Sequence, residues 1–224
     1  MNRRKLLAAP ALLAPALLAS GILAPRPLLA QTGQNAQALT GAAQAQALAR
    51  VEAYFNAMTT FKARFLQLAQ GGGSAQGTAW IWRPSRMRFE YDAPEPTLLI
   101  AADGQFFHFD RELAQPTVVP LSSTPLSVLL RSPLRLSGDV TVASVERARG
   151  LLAVTVYRTA QPAEGRITLI LEEEPMVLRQ WVVVDAQGRS TRVTLTQIET
   201  GLRFDPFLFA FNDPRFREQL GIRQ

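Results

Sequence analysis

Thr97-Leu98-Leu99-Ile100-Ala101-Ala102-Asp103-Gly104-Gln105-Phe106-Phe107-His108-Phe109-Asp110 is the stretch that decides how this chain folds. Asp103-Gly104 suits the two positive-φ positions of a tight hairpin turn, and short apolar runs flank it on both sides. Two antiparallel strands follow, Thr97–Ala101 and Gln105–Asp110. An antiparallel strand with one wet face alternates apolar and polar residues. Leu98-Leu99-Ile100-Ala101 and Phe106-Phe107 do not, so both faces of this hairpin need a cover.

Upstream, Met87, Phe89 and Tyr91 alternate with Arg86, Arg88 and Glu90, giving a strand over Arg86–Tyr91 with one polar face. Gln76–Arg83 and Phe61–Leu68 precede it, separated by the flexible Gly71-Gly72-Gly73-Ser74 turn. Downstream strands are expected at Pro116–Val119, Val140–Val145, Leu151–Arg158, Gly165–Leu171, Met176–Val184 and Ser190–Ile198. Trp181-Val182-Val183-Val184 is again apolar on both faces. Leu48, Val51, Tyr54, Phe55 and Met58 follow helical spacing, which predicts one amphipathic helix over Ala42–Met58. A short helix over Thr124–Arg131 is expected, with Thr124 as N-cap and Pro125 at its first position. Tight turns between short strands imply antiparallel pairing. The fold class is α+β, a single domain on one large antiparallel sheet. From periodicity alone that sheet is either a barrel or sandwich filled by its own side chains, or a curved sheet that holds an apolar ligand.

The first thirty residues read as an export signal: Arg3, Arg4 and Lys5, then an apolar run from Leu6 to Leu23, then Pro25 to Ala30. Asn2-Arg3-Arg4-Lys5-Leu6-Leu7 is similar to a twin-arginine signal, so the route is general secretion or twin-arginine export to the periplasm. Residues 31–43 are read as a flexible tail and 44–224 as the domain. The whole chain of 224 residues carries a net charge of +6 and a pI near 10.6, which invites a nucleic-acid partner. Residues 1–30 hold four of the 24 basic residues and no acidic one, leaving 20 basic against 18 acidic in the remainder. No nucleic acid is expected.

Chemistry is sparse. There is no cysteine and one histidine, His108, so a zinc–thiolate site, a thiol nucleophile and a two-histidine metal site are excluded within the chain. His108 is read as packed or at an edge, and Glu172-Glu173-Glu174 as a solvated turn. No phosphate loop or Gly-x-Ser-x-Gly elbow is present. No catalytic residue, metal or cofactor is assigned, and the chain is expected not to be an enzyme.

Phe61-Lys62-Ala63-Arg64-Phe65-Leu66-Gln67 resembles the Phe-x-x-x-Phe-x-Gln opening of the periplasmic lipoprotein-carrier (LolA) family. Gly77-Thr78-Ala79-Trp80-Ile81-Trp82-Arg83-Pro84, Arg88-Phe89-Glu90-Tyr91-Asp92-Ala93-Pro94, Asp103 to Asp110 and Thr124-Pro125-Leu126 follow in the family's order. Ser85 stands where the family commonly has glycine or asparagine. Phe207-Leu208-Phe209-Ala210-Phe211 is similar to its closing aromatic strand. The resemblance implies an incomplete, unclosed antiparallel β-barrel with an α-helical lid over an apolar concave side. It implies a soluble monomer that carries acylated lipoproteins from an inner-membrane ABC transporter to an outer-membrane receptor. Arg83, in the Arg-Pro motif, would hydrogen-bond to the lid and control its opening. The related receptor is anchored through an N-terminal cysteine, so a chain without cysteine resembles the carrier. Trp80, Trp82, Met87, Phe89, Leu98, Ile100, Phe107 and Phe109 are the candidate lipid-binding residues, with the inward parity of each strand left open. Two alternatives stand beside this reading: a periplasmic lipid-sensing interaction module of similar fold, and a carrier of another lipid such as a hopanoid or glycolipid.

Overall fold

The computed structural model describes residues 36–112, 115–219 and 221, so the predicted signal, residues 1–30, lies outside the described residues. Twelve strands form one antiparallel sheet. They are β1 (Gln37–Ala38), β2 (Thr60–Ala69), β3 (Ser74–Trp82), β4 (Arg86–Tyr91), β5 (Thr97–Ala102), β6 (Gln105–Asp110) and β7 (Gln115–Pro120). β8 (Val140–Ala148), β9 (Leu151–Arg158), β10 (Gly165–Glu173), β11 (Met176–Asp185) and β12 (Ser190–Thr200) complete it. The spatial order is β1-β8-β9-β10-β11-β12-β2-β3-β4-β5-β6-β7. Two meanders are thus joined where β12 lies beside β2, and β1 and β7 remain as unjoined edges. Pro116 and Pro120 on β7 cannot donate to a further strand, which blunts that edge. The sheet is an unclosed barrel, curved where the β12–β2 register slips between Thr196 and Glu199.

Helix α1 (Gly41–Ala57) lies inside the curve. Its sequence is alanine-rich and strongly helix-forming, and it stops before the β-branched pair Thr59-Thr60. Ala47, Val51 and Phe55, at spacing four, are buried against the concave face. α2 (Leu126–Leu129) sits beside it with Val128, Leu129 and Leu130 buried. α2 is shorter than predicted: the Thr124 hydroxyl donates back to the Leu121 carbonyl at 2.9 Å instead of capping it. Of the tail expected over residues 31–43, residues 31–35 lie outside the described residues, while Gln37–Ala38 form β1 and α1 begins at Gly41. Leu39 is buried there, and its N–H donates to the Val145 carbonyl at 2.8 Å.

The two halves of the sheet treat their convex faces differently. On β9 and β10 that face carries polar residues such as Thr155 and Thr168, whose hydroxyls pair at 2.9 Å. On β3, β5 and β6 it is largely apolar, with charged Arg86, Arg88 and Glu90 of β4 between them, and it is covered by the segment after β12. Phe209, Phe211 and Phe216 of that segment form a second buried cluster with Leu98, Ile100, Phe107 and Phe109, against which Trp80 and Trp82 pack. Phe211 lies 4.3 Å from Phe107, and Phe209 lies 6.1 Å from Trp82, measured between ring centroids. Buried Arg88 holds the cover in place, donating to the Leu208 carbonyl at 3.2 Å and to Glu90 at 2.9 Å, with its guanidinium 5.4 Å from the Phe216 ring. The closing aromatic strand expected over 207–211 is therefore a 3-10 turn, Pro206–Phe209, followed by the short helix α3 (Pro214–Gln219). Asp205 caps that turn through the Phe207 N–H, and Pro206 at its first position removes a strand donor. Truncating a buried phenylalanine costs about 3–5 kcal/mol. Phe211→Ala is therefore expected to lower the urea midpoint by that much stability while leaving apolar-dye binding on the concave side unchanged.

Candidate functional site

The concave face holds a cavity of about 290 Å³. Met87 and Phe89 of β4, Leu99 of β5, Trp181 of β11 and Val193 of β12 form its apolar wall, and Leu126 of α2 closes one side. Register puts these residues on one face: Phe89 lies across from Leu99, and Trp181 across from Val193. Of the eight residues named from sequence, Met87 and Phe89 line the cavity. Trp80, Trp82, Leu98, Ile100, Phe107 and Phe109 have the opposite parity and lie outside, against the C-terminal segment. Leu99, Phe106, His108, Trp181, Val183 and Val193 were missed. The signal that could have found them is β4, where charged Arg86, Arg88 and Glu90 mark the outer parity. His108, read as packed or at an edge, is exposed and lines the cavity.

A polar pair sits at one end of the wall. The Tyr91 hydroxyl donates to Gln67 Oε1 at 2.7 Å, and burial pushes the Tyr91 pKa well up. The other end of the barrel is filled by α1 and α2, and Arg83 holds them there. Arg83 is 3% exposed. Its guanidinium donates to the carbonyls of Phe55 and Met58 at the end of α1 and of Arg131 after α2. The Met58 and Arg131 carbonyls stand past the helix ends, the Phe55 carbonyl also accepts from the Met58 N–H at 3.2 Å, and the positive charge suits the negative end of α1. Among the described residues no carboxylate pairs with that charge, and burial pulls the Arg83 pKa down to about 10. The same turn contributes the Ser85 N–H, which donates to the Leu130 carbonyl at 2.9 Å. Ser85 has φ +64°, the left-handed region that glycine and asparagine enter with least strain.

Three further contacts bind α1 to its surroundings. Asn56 exchanges two hydrogen bonds with the Leu134 backbone at 3.1 and 2.7 Å. Glu52 accepts from the Leu136 N–H at 2.6 Å. Glu173, expected in a solvated turn, is instead 90% buried between Arg147 of β8 and Arg50 of α1, at 2.6 and 3.2 Å. Hydrogen bonding from Arg147 holds the Glu173 carboxyl below the usual carboxylate range, against the opposing effect of burial. Among the described residues, no cluster of histidine or carboxylate side chains is placed to hold a metal ion. The site can do one thing chemically: bury apolar surface beneath a cover that α1 and the short α2 provide.

Residues 56–212 match the family model described as outer membrane lipoprotein carrier protein LolA, well over half of the chain. The chain belongs to the LolA family. Its members are binding chaperones and not enzymes. The chain is 26% identical over 175 residues to the outer-membrane lipoprotein carrier protein of Methylococcus capsulatus, covering 74% of this chain and 83% of that one. It is 29% identical over 182 residues to that of Alkalilimnicola ehrlichii, covering 77% and 83%. Among solved structures, a LolA superfamily protein from Nitrosomonas europaea aligns with a TM-score of 0.45 at 10% identity, covering 75% of this chain and 97% of that one. Among the described residues, no helix is long and apolar enough to cross a membrane.

Within this LolA-family fold, the Glu173 ion pairs fasten the helix to the sheet, and their pH dependence has a definite sign. A carboxyl whose native pKa is depressed adds stability above its ordinary value, near 4.5, and that stability is lost as pH falls through the native value. Urea midpoints of the wild type should therefore drop as pH falls below about 4.5, and Glu173→Gln should flatten that decline. An equally steep decline in the variant would remove Glu173 from the acid response.

Proposed function

We propose that this chain is an exported periplasmic carrier that takes the acyl chains of lipoproteins into the concave cavity. It would receive them from an inner-membrane ABC transporter and pass them on to an outer-membrane receptor. The observation that carries this reading is the apolar cavity beside a cover built from two helices and one buried arginine. The names of the related carriers and the signal-like first thirty residues support it.

Magnitudes make the device workable. A long acyl chain gains about 0.8 kcal/mol per buried methylene, or ~10 kcal/mol in all. Closing α1 and α2 onto the sheet buries Val51, Phe55, Val128, Leu129 and Leu130 fully and Leu48 and Tyr54 partly, worth roughly 10–15 kcal/mol together. The one further buried α1 position is Ala47. Cargo and cover are thus comparable competitors for the same apolar wall, which permits both loading and release. A cavity of 290 Å³ is at the lower end of the range of about 300–1,000 Å³ for single-ligand pockets. Several long chains exceed it, so loading requires α1 and α2 to move outward, and Arg83 is the latch they must leave.

A reconstituted transfer assay tests the proposal. Wild-type protein should release triacylated lipoproteins from transporter-containing inner-membrane vesicles as a soluble complex and deliver them to receptor-containing vesicles. Arg83→Leu removes the latch and takes the guanidinium donor from the Met58 and Arg131 carbonyls, which costs about 1–3 kcal/mol for each that stays buried. The closed state should weaken, and transfer to the receptor should fall at least tenfold, with binding retained. Unchanged transfer by Arg83→Leu would remove Arg83 from the mechanism. Failure of the wild type to release any lipoprotein would overturn the carrier reading.

A further inference from the structure

The convex cover reaches only part of the sheet. The segment after β12 packs against β3, β5 and β6. On β10, β11, β12 and β2 the convex face stays open to solvent. Leu66 and Leu68 are 43% and 40% exposed there, Val182 and Val184 are half-buried, and Arg166 and Arg192 are exposed. Register gathers these six side chains into one patch. Arg166 lies across from Val184, Val182 across from Arg192, and Arg192 across from Leu68. Their parity is opposite to that of the cavity residues Gln67, Trp181, Val183 and Val193.

The charge of this patch is one-sided. Among the described residues, Arg166 and Arg192 have no ion-pair partner. The positions of the same face beside them are Thr168, Ser190 and Thr194, which carry only hydroxyls. At the border, Asp92, Glu172 and Asp185 are met by Arg64, Arg179 and Arg189, and these pairs add no net charge. Glu95, beyond Leu66, accepts from the Thr97 hydroxyl. The patch itself thus carries two guanidinium groups, exposed aliphatic side chains and no carboxylate.

That combination selects its occupant. Exposed aliphatic surface favours an apolar contact, and a free guanidinium favours phosphate, which it can hold through two parallel N–H donors. A second copy of this chain fits poorly, because a two-fold contact sets the arginines of one copy against those of the other. A bilayer with anionic head groups satisfies both chemistries. Its phosphates meet the arginines, and its head-group boundary takes the leucines, the valines and the arginine stems. It requires no matching pocket, which suits a convex sheet.

We propose that the convex patch around Arg166 and Arg192 is a docking face for an anionic lipid surface. The contact is weak and reversible, since two arginines fall short of the clusters that hold a protein on a membrane. It uses the face opposite the cavity and so stands apart from the carrier reading.

Co-sedimentation of the mature protein with lipid vesicles tests this. At low salt, binding to mixed phosphatidylglycerol–phosphatidylcholine vesicles should exceed binding to phosphatidylcholine alone by about thirtyfold, the worth of two surface arginines. The preference should vanish near 1 M salt. Arg166→Gln combined with Arg192→Gln should abolish it. Leu66→Ser combined with Leu68→Ser should weaken binding to both kinds of vesicle and keep the preference. Equal binding to both vesicles by the wild type, or an undiminished preference in the arginine variant, would overturn the proposal. Dimerisation of the free protein that the same arginine substitutions abolish would give the face to a second copy and overturn it too. Placement is read on the unaltered chain from methyl signals. A paramagnetic head-group lipid should broaden those of Leu68 and Val182 and spare Val118, which is 44% exposed on β7. Broadening of Val118 with Leu68 spared would overturn the assignment of the face. None of these outcomes bears on lipoprotein transfer, which has its own assay.

Discussion

A sheet that is apolar on both faces must find two covers, and every other feature of this molecule follows from how it finds them. On β3–β6 the concave side presents Met87, Phe89 and Leu99, and the convex side presents Leu98, Ile100, Phe107 and Phe109. The chain answers with two different covers. The convex cover is aromatic, built from Phe209, Phe211 and Phe216 in close ring contact and pinned by Arg88. The concave cover is aliphatic apart from Phe55, resting on Val51, Phe55, Val128, Leu129 and Leu130 and on a few polar tethers. A dense aromatic interface resists opening, and a sparse helical one does not. Under the proposed function, the asymmetry would leave structural work to one face and exchange to the other.

Arg83 is the centre of the exchangeable cover. A buried guanidinium without a carboxylate carries a desolvation penalty, visible in its lowered pKa. Its return is geometric, since one side chain collects carbonyls from the end of α1 and from the turn after α2. The two helices, otherwise joined through Asn56 and Glu52 to the 134–136 segment, thereby close as one body. In the proposed carrier, movement of that body away would return the guanidinium to water and relieve the penalty, which would keep the closed state from being too stable to open.

Much of this was legible in the sequence. The boundaries of β4, β6 and β9 follow directly from alternation or turn chemistry, and the Asp103-Gly104 hairpin pairs Ala102 with Gln105 as a two-residue turn requires. The doubly apolar strands correctly demanded two covers. What alternation could not show was which parity faces inward, because Leu98-Leu99-Ile100 satisfies either choice. Only the charged face of β4, carried across by register, settles it. The role of the C-terminal phenylalanines was hidden for a different reason. Their spacing suits a strand, and tertiary contact with Trp82 and Phe107 decides otherwise. Glu173 was misread because a run of three glutamates looks solvated, and its partners Arg50 and Arg147 are far away in the chain.

The central claim is that apolar cargo and the α1–α2 body compete for one wall. Hydrogen exchange of the mature protein, with and without a bound triacylated lipopeptide, measures this directly. The account predicts that amides in residues 50–58 and 126–136 lose protection on loading, while those of β5 and β6 beneath the aromatic cover keep theirs. Undiminished or increased protection of 50–58 in the loaded protein would contradict it.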